Sequence, residues 1–242
     1  MRIVISGYGK MGKEIERLAI KKGHDIVAKV DNEQEWNEQL SQIKNSDVII
    51  DFSQPEVVVD ILLKSFTINV PIITGTTGWY DHFDEVVQRC NEHKATLFYA
   101  PNYSIGVNIF FKLNHELASI MNQVKGYEVK INETHHSQKL DSPSGTAIKA
   151  AEDVIMNSDD LNTWVNKKSK TPEELPIISK RKGSVTGTHK VSYTSEVDKI
   201  ELRHKAKSRS AFAEGAIYAA AFAYDKKGVF TMEDLFNNQT HE

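Results

Sequence analysis

Residues 133–147 read Glu-Thr-His-His-Ser-Gln-Lys-Leu-Asp-Ser-Pro-Ser-Gly-Thr-Ala, which places two adjacent imidazoles, an ammonium group and a Pro-Ser-Gly-Thr turn in one short stretch. Imidazole titrates near neutral pH, so His135 or His136 can move a proton. The Lys139 ammonium is a compact charge suited to a carboxylate. Gly145 and Thr146 fall where a helix is expected to open, and the first N–H groups of a helix have no intrahelical partner and can hold an anion. A dicarboxylate held at both ends and protonated between them is the chemistry these parts allow. Neighbouring side chains of a strand point to opposite faces. If His135 and His136 extend the strand before them, one donates a proton while the other contacts substrate or packs. His135, His136 and Asp141 also carry metal-ligating atoms, but they lack the His-x-x-x-His spacing of a helical metal site, so no metal is expected.

A second constellation lies near the start of the chain. Gly7-Tyr8-Gly9-Lys10-Met11-Gly12 follows an apolar run, Arg2–Ser6, and precedes a helical pattern. That is the setting in which Gly-x-Gly-x-x-Gly binds a dinucleotide: the first glycine makes the turn, the second admits a pyrophosphate, and the third lets helix and strand pack closely. Asp31 ends the next apolar run, nineteen residues past Gly12, where an acid is expected on the adenine ribose. A carboxylate there suits NADH, and Asn32 supplies no cation for a 2′-phosphate. Lys10 and Lys29 could offset the repulsion and admit NADPH, so both cofactors stay open. Gly75-Thr76-Thr77-Gly78 and Ala100-Pro101-Asn102-Tyr103 each follow a further apolar run, at ends of strands where such sheets bind ligands.

The elements that must position these groups alternate in period. Strands are expected at Arg2–Ser6, Asp25–Val30, Asp47–Phe52, Pro71–Thr74 and Ala95–Ala100, with helices over Lys13–Lys22, from Pro55, and over Tyr80–Lys94. Strand–helix alternation implies a parallel sheet covered on both faces, here a Rossmann-type α/β domain. The pattern changes near Pro101. A helix at Gly106–Asn122, a strand at Lys125–Thr134 and a helix at Ser144–Asn157, with Ser142 or Ser144 available as its cap, come next. A lysine-rich loop over Asn157–Pro176 then leads to strands at Ile177–Lys180, Ser184–Thr194 and Lys199–Lys205, and to an alanine-rich helix at Ser210–Tyr224. These describe a second α+β domain with a mixed sheet.

The bulk properties agree with a globular rather than a disordered chain. The chain has 242 residues, 40% hydrophobic and 26% charged. Its net charge of −3 argues against a general nucleic-acid binder. Cys90, the only cysteine, allows no intrachain disulfide. The start of the chain has no leader pattern and no run is long enough to span a membrane, so a soluble, cytoplasmic protein is expected.

Along essentially its whole length the chain resembles the dihydrodipicolinate reductase (4-hydroxy-tetrahydrodipicolinate reductase) family. The carriers are Gly7–Gly12, Asp51-Phe52-Ser53, Gly75–Gly78, Asn102–Asn108 and above all the His-His-x-x-Lys-x-Asp-x-Pro-Ser-Gly-Thr-Ala run, with support from Gly183, Gly187, His189 and Arg209–Ala213. The resemblance implies an NADPH- or NADH-dependent oxidoreductase of diaminopimelate and lysine biosynthesis. It implies His135 as proton donor, and Lys139 in catalysis or substrate binding. His136, Gly145 and Thr146 become substrate contacts. Cofactor contacts map to Gly7, Tyr8, Gly9, Lys10, Met11, Gly12, Asp31, Gly75, Thr76, Thr77, Ala100, Pro101, Asn102 and Tyr103. It also implies a homotetramer, and a dinucleotide-binding domain over 1–103, rejoined by 213–242, with a substrate-binding and oligomerisation domain over 104–212. Two positions depart from the family. Many members have arginine where Asn32 stands, and an acidic residue is often found where Thr188 stands. A non-catalytic NAD(P)H sensor or another small-acid dehydrogenase would share the first domain only.

Overall fold

The computed structural model describes residues 1–208 and 210–237. Arg209 and residues 238–242, which fall in stretches singled out above, lie outside the described residues. In chain order the elements are β1 (Arg2–Ser6), α1 (Lys10–Lys21), β2 (Asp25–Val30), α2 (Glu33–Glu38), α3 (Leu40–Lys44), β3 (Val48–Asp51), α4 (Pro55–Thr67), β4 (Ile72–Thr74), a 3-10 turn (Tyr80–His82), α5 (Phe83–Glu92) and β5 (Thr96–Tyr99). They continue with α6 (Ile105–Asn122), β6 (Glu128–His135), α7 (Gly145–Met156), β7 (Thr163–Val165), β8 (Glu174–Arg181), β9 (Gly187–Thr194), β10 (Lys199–Ala206), α8 (Ser210–Ala223), β11 (Gly228–Phe230) and α9 (Met232–Asn237). Two compact units result: Met1–Ser104 with Ser210–Glu242, and Ile105–Arg209. The chain therefore divides at 104/105 and 209/210, against the 103/104 and 212/213 read from sequence.

The first unit is a six-stranded parallel sheet in the order β11-β5-β4-β3-β1-β2. Ile3, Val4 and Ile5 of β1 and Val48, Ile49 and Ile50 of β3 have no solvent exposure, as continuous apolar runs of a doubly covered sheet should not. Strand order reverses between β1 and β3. In open α/β sheets that is the point where a crevice opens beyond the strands' carboxyl ends. The small residues of α8 let it lie close on α1 and on β3, β4 and β5. Gly215 is the tightest point, since a Cβ there would fall 1.7 Å from the Tyr103 carbonyl oxygen.

The second unit is a mixed sheet in the order β10-β9-β6-β8-β7, with β6 parallel to β8 and antiparallel to β9. Its core holds Phe110 and Ala118 from α6, Ala147, Ala150 and Val154 from α7, and Ile131, Ile177 and Val191 from the sheet. The buried Asn114 amide donates to the Ala150 carbonyl at 3.0 Å and ties α6 to α7. Along β6 the buried positions are Ile131, Glu133 and His135, alternating with the partly exposed Asn132 and Thr134. The α/β class and the two kinds of sheet are as the sequence predicts.

Several local expectations need correction. The stretch 157–176 is not all loop: β7 pairs with β8, and Trp164 packs against the core, which recruits three β-prone residues out of a polar segment. The first helix starts at Lys10 rather than Lys13, inside the glycine motif. The polar α2 and α3 were not foreseen; Asn32 caps α2 by accepting from Glu35 N at 2.9 Å, and only Trp36 of that helix is buried. β11 adds a sixth strand whose three residues are too few for periodicity to register. Among the described residues, no helix is long and apolar enough to cross a membrane. The Gly215 contact sets a measurable consequence. Gly215→Ala is expected to destabilise the protein by about 1–3 kcal/mol through overpacking, read as a lower denaturation midpoint at unchanged m.

Candidate active site

In the first unit the residues read as cofactor-binding gather at the carboxyl edge of the sheet. Gly7 has φ +84°, and a Cβ there would lie 2.4 Å from the Phe52 carbonyl oxygen, so only glycine fits. Gly12 packs against the Gly7 carbonyl, where a Cβ would lie at 2.4 Å. Gly9 differs: nothing lies within 4 Å of its would-be Cβ. Gly9 also stands at the N-cap of α1 without a side-chain cap. The first-turn N–H groups of Lys10 and Met11 donate to no described residue. An open glycine at an uncapped helix N-terminus fits a pyrophosphate, and this is the observation that admits a dinucleotide here. Asp31 accepts from Tyr8 N at 2.5 Å, so the acid also pins the loop. Lys29 pairs with Glu16 at 3.1 Å and lies over the Tyr8 ring, whose hydroxyl donates to Glu16. Lys10 is exposed.

The loops after β3 and β4 converge on one buried carboxylate. Asp51 has no exposure; it accepts from Ser6 Oγ at 2.9 Å and from Thr74 Oγ1 and Thr76 Oγ1 at 2.8 Å each. Burial raises its pKa against the pull of those hydroxyl bonds. Gly75 lies against the Phe52 ring, 2.2 Å from where a Cβ would stand. Of the remaining candidates, Thr77 and Pro101 are exposed and Asn102 is half-buried, whereas Thr76 and Ala100 are buried. Tyr103 is a core residue whose hydroxyl donates to the Thr74 carbonyl at 2.7 Å, so its side chain braces β4.

In the second unit the predicted residues occupy the end of β6, the following loop and the start of α7. His135 is the last residue of β6 and is buried, while His136 is half-buried beyond the strand. The two imidazoles thus occupy different environments. Lys139 Nζ pairs with Asp141 at 2.8 Å. Ser144, not Ser142, caps α7 by accepting from Ala147 N at 3.3 Å. The N–H groups of Gly145 and Thr146 donate to no described residue, and Gly145 is exposed.

Three further residues complete the cluster, and their roles were not read from sequence. Sheet register sets Glu133 opposite Ser179 and His189, and His135 opposite Arg181. Glu133 Oε1 accepts from Arg181 Nη2 at 3.1 Å and from Ser144 N at 3.2 Å, and Oε2 lies 3.0 Å from His135 Nδ1. Arg181 also donates to the Asp141 carbonyl at 2.5 Å and the Lys139 carbonyl at 3.3 Å, which ties the loop to β8. His189 packs its ring 5.0 Å from that of His135 and shares a 3.1 Å bond with Ser144 Oγ. The sequence signals for these partners were the expected strand alternation and, for Glu133 and His189, their place among the stretches that carry the family resemblance; neither says which strands are neighbours.

Burial pushes the His135 pKa down against the pull of Glu133. His189 is pushed down to about 4, by burial first and by His135 second. Burial pushes Glu133 up, but bonds from Ser144, Ser179 and Arg181 outweigh it and the net direction is down. Glu133, His135 and His189 have metal-ligand atoms within 4.8 Å of one another. The guanidinium on Glu133 opposes a further cation there, whether a metal ion or an imidazolium. His189 is held neutral in the fold and charges more readily unfolded, so its stabilisation is present above about pH 6.5 and is lost as pH falls towards about 4. His189→Asn is therefore expected to flatten the decline of unfolding free energy between those values, measured by denaturant titration across pH; a decline as steep as in the parent would remove His189 from the acid response.

Two family models match in tandem, "Dihydrodipicolinate reductase, N-terminus" over residues 1–103 and "Dihydrodipicolinate reductase, C-terminus" over 106–236. A 4-hydroxy-tetrahydrodipicolinate reductase of Christiangramia forsetii is 42% identical over 238 residues, covering 98% of each chain. One of Staphylococcus carnosus is 31% identical over 248 residues, covering 98% of this chain and 100% of its own. Among solved structures, the dipicolinate-bound dihydrodipicolinate reductase from Paenisporosarcina sp. TG-14 shares the fold, with a TM-score of 0.77 at 24% identity over 96% of this chain and 97% of its own. With both halves of the family matched and relatives aligned end to end, the chain belongs to the dihydrodipicolinate reductase family.

Proposed function

We propose that the chain reduces 4-hydroxy-tetrahydrodipicolinate, by way of dihydrodipicolinate, to tetrahydrodipicolinate in diaminopimelate and lysine biosynthesis. The observation that carries this reading is the end-to-end match to reductases of that name, joined to a buried His135 on the same stretch as Lys139 and the free N–H groups of Gly145 and Thr146. The reduced nicotinamide, NADH or NADPH, supplies the hydride when bound. The loop Gly7–Gly12, Asp31, Gly75–Thr77 and the Ala100–Tyr103 backbone hold it.

The substrate is a dicarboxylate. Lys139 takes one carboxylate in place of Asp141, and the Gly145 and Thr146 N–H groups take the other, which fixes the ring. His136 makes a further contact. His135 delivers the proton that follows reduction. Its depressed pKa makes the imidazolium a readier donor at some cost in the fraction protonated at neutral pH. We further propose a homotetramer formed through the second unit, working in the cytoplasm. Cys90 does not favour a thioester-forming dehydrogenase, since burial pushes its thiol up to about 11.

Following NADH consumption at 340 nm with freshly made product of the preceding synthase tests the reading. His135→Gln is expected to lower kcat by about 10²–10⁴ with cofactor affinity nearly unchanged. Unchanged turnover would remove His135 from the reaction. Because Lys29 is engaged by Glu16 and Asn32 by the α2 cap, NADH is expected to give a kcat/KM at least equal to that of NADPH. A clear NADPH preference would overturn this expectation.

A further inference from the structure

Two imidazoles approach one buried carboxylate, and only one of them is assigned to proton delivery. Glu133 Oε2 lies 3.0 Å from His135 Nδ1 and 3.9 Å from His189 Nε2. The other oxygen is taken by Arg181 and by the Ser144 N–H. Resting on the reading of His135 as proton donor, we propose that Glu133 is a positioning residue that holds His135 in the Nδ1–H tautomer, so that Nε2 is the atom that carries and delivers the proton. Arg181 and Ser144 are the clamp that keeps Glu133 ionised and aimed.

Four observations support the assignment. First, a carboxylate on β6 two residues before His135 shares its face of the strand, so the backbone itself brings the pair together. Second, Gly187 stands across β9 where any Cβ would come within 3.1 Å of His135 Nε2, so the absence of a side chain there leaves room at that atom. Third, His189 does not compete for the carboxylate as a cation: burial and the neighbouring His135 keep it neutral down to about pH 4, and its Nε2 is shared with Ser144 Oγ. Fourth, the charges around His135 come from three elements and divide two against two, with Glu133 the largest of them. Lys139 in the loop and Arg181 on β8 disfavour the imidazolium, while Asp141 in the loop and Glu133 on β6 favour it. His204 on β10 acts on His189. Glu133 is the strongest of the favouring groups and the only buried one. The Glu133–His135 approach is off line for a hydrogen bond, and catalytic bonds of this kind commonly tighten once substrate is bound.

Glu133→Gln keeps the shape and removes the charge. With Glu133 gone the imidazolium loses its main support, so the pH above which kcat falls is expected to move downward, with kcat lower by about 10-fold or more and KM for NADH unchanged. Glu133→Asp is expected to restore the alkaline limb towards the parent position. A merely structural role would lower kcat without moving the limb, and that result would overturn the proposal. If Glu133→Gln does not fold, the ¹⁵N spectrum of histidine-labelled parent enzyme decides the matter. Neutral His135 protonated at Nδ1 supports the proposal, and Nε2–H overturns it. Should His135→Gln itself leave turnover intact, the assignment of His135 fails, whereas a fixed alkaline limb in Glu133→Gln with a crippled His135→Gln defeats only the role of Glu133.

Discussion

A carboxylate removed from water stays ionised only where donors and positive charge replace its hydration. Glu133 has about 1% exposure, and everything distinctive about the second unit's site follows from satisfying it. Arg181 reaches Oε1 from β8 and Ser144 N from the cap of α7, while His135 Nδ1, on the same strand, lies 3.0 Å from Oε2 without a hydrogen bond. Because Arg181 also binds the carbonyls of Lys139 and Asp141, the same guanidinium that neutralises Glu133 sets the path of the loop carrying Lys139. Ser144 likewise joins two tasks, since it bonds Glu133 through N–H and opens α7 with its hydroxyl, so the N–H groups of Gly145 and Thr146 are placed by the same anchor. Removing one partner of such a network leaves the others buried and uncompensated, which makes it stiff.

The first unit solves a similar problem without a cation. Asp51 ends β3 where the strand order reverses, and hydroxyls of Ser6, Thr74 and Thr76 surround it. Those donors come from the ends of β1 and β4 and the loop beyond, so one buried acid joins the turns that flank the crevice. The Gly7 contact with the Phe52 carbonyl and the Gly75 contact with the Phe52 ring show how closely those turns approach. Gly9, with open space around it, is the one glycine of the motif left facing away from the protein. Hydroxyl donors hold these loops in register, and the positive end of α1 is left able to attract an anion.

Much of this was legible in the residues. The glycine loop, its strand and its helix lie together in sequence, so their relation is local and readable. The same is true of His135, His136, Lys139 and the Gly145–Thr146 helix start, which one short stretch contains. What escaped were partners distant along the chain. Arg181 is 48 residues from Glu133, and His189 is 45 from Ser144. Tyr103 stood in a turn-like motif yet proves to be a core brace, because its ring is enclosed by Phe52 and Phe98. The short strands β7 and β11 were missed because pairing with β8 and β5, rather than intrinsic pattern, makes them strands.

The sequence by itself determined the class of fold, the glycine-rich turn after β1 and the candidate side chains for a dicarboxylate site, because periodicity and motif spacing are local properties. Only the tertiary structure decided which imidazole is buried beside a carboxylate, which is neutral, and which cation holds that carboxylate in place. Those facts depend on the register of β6 against β8 and β9, and on burial, and neither exists until distant strands have met.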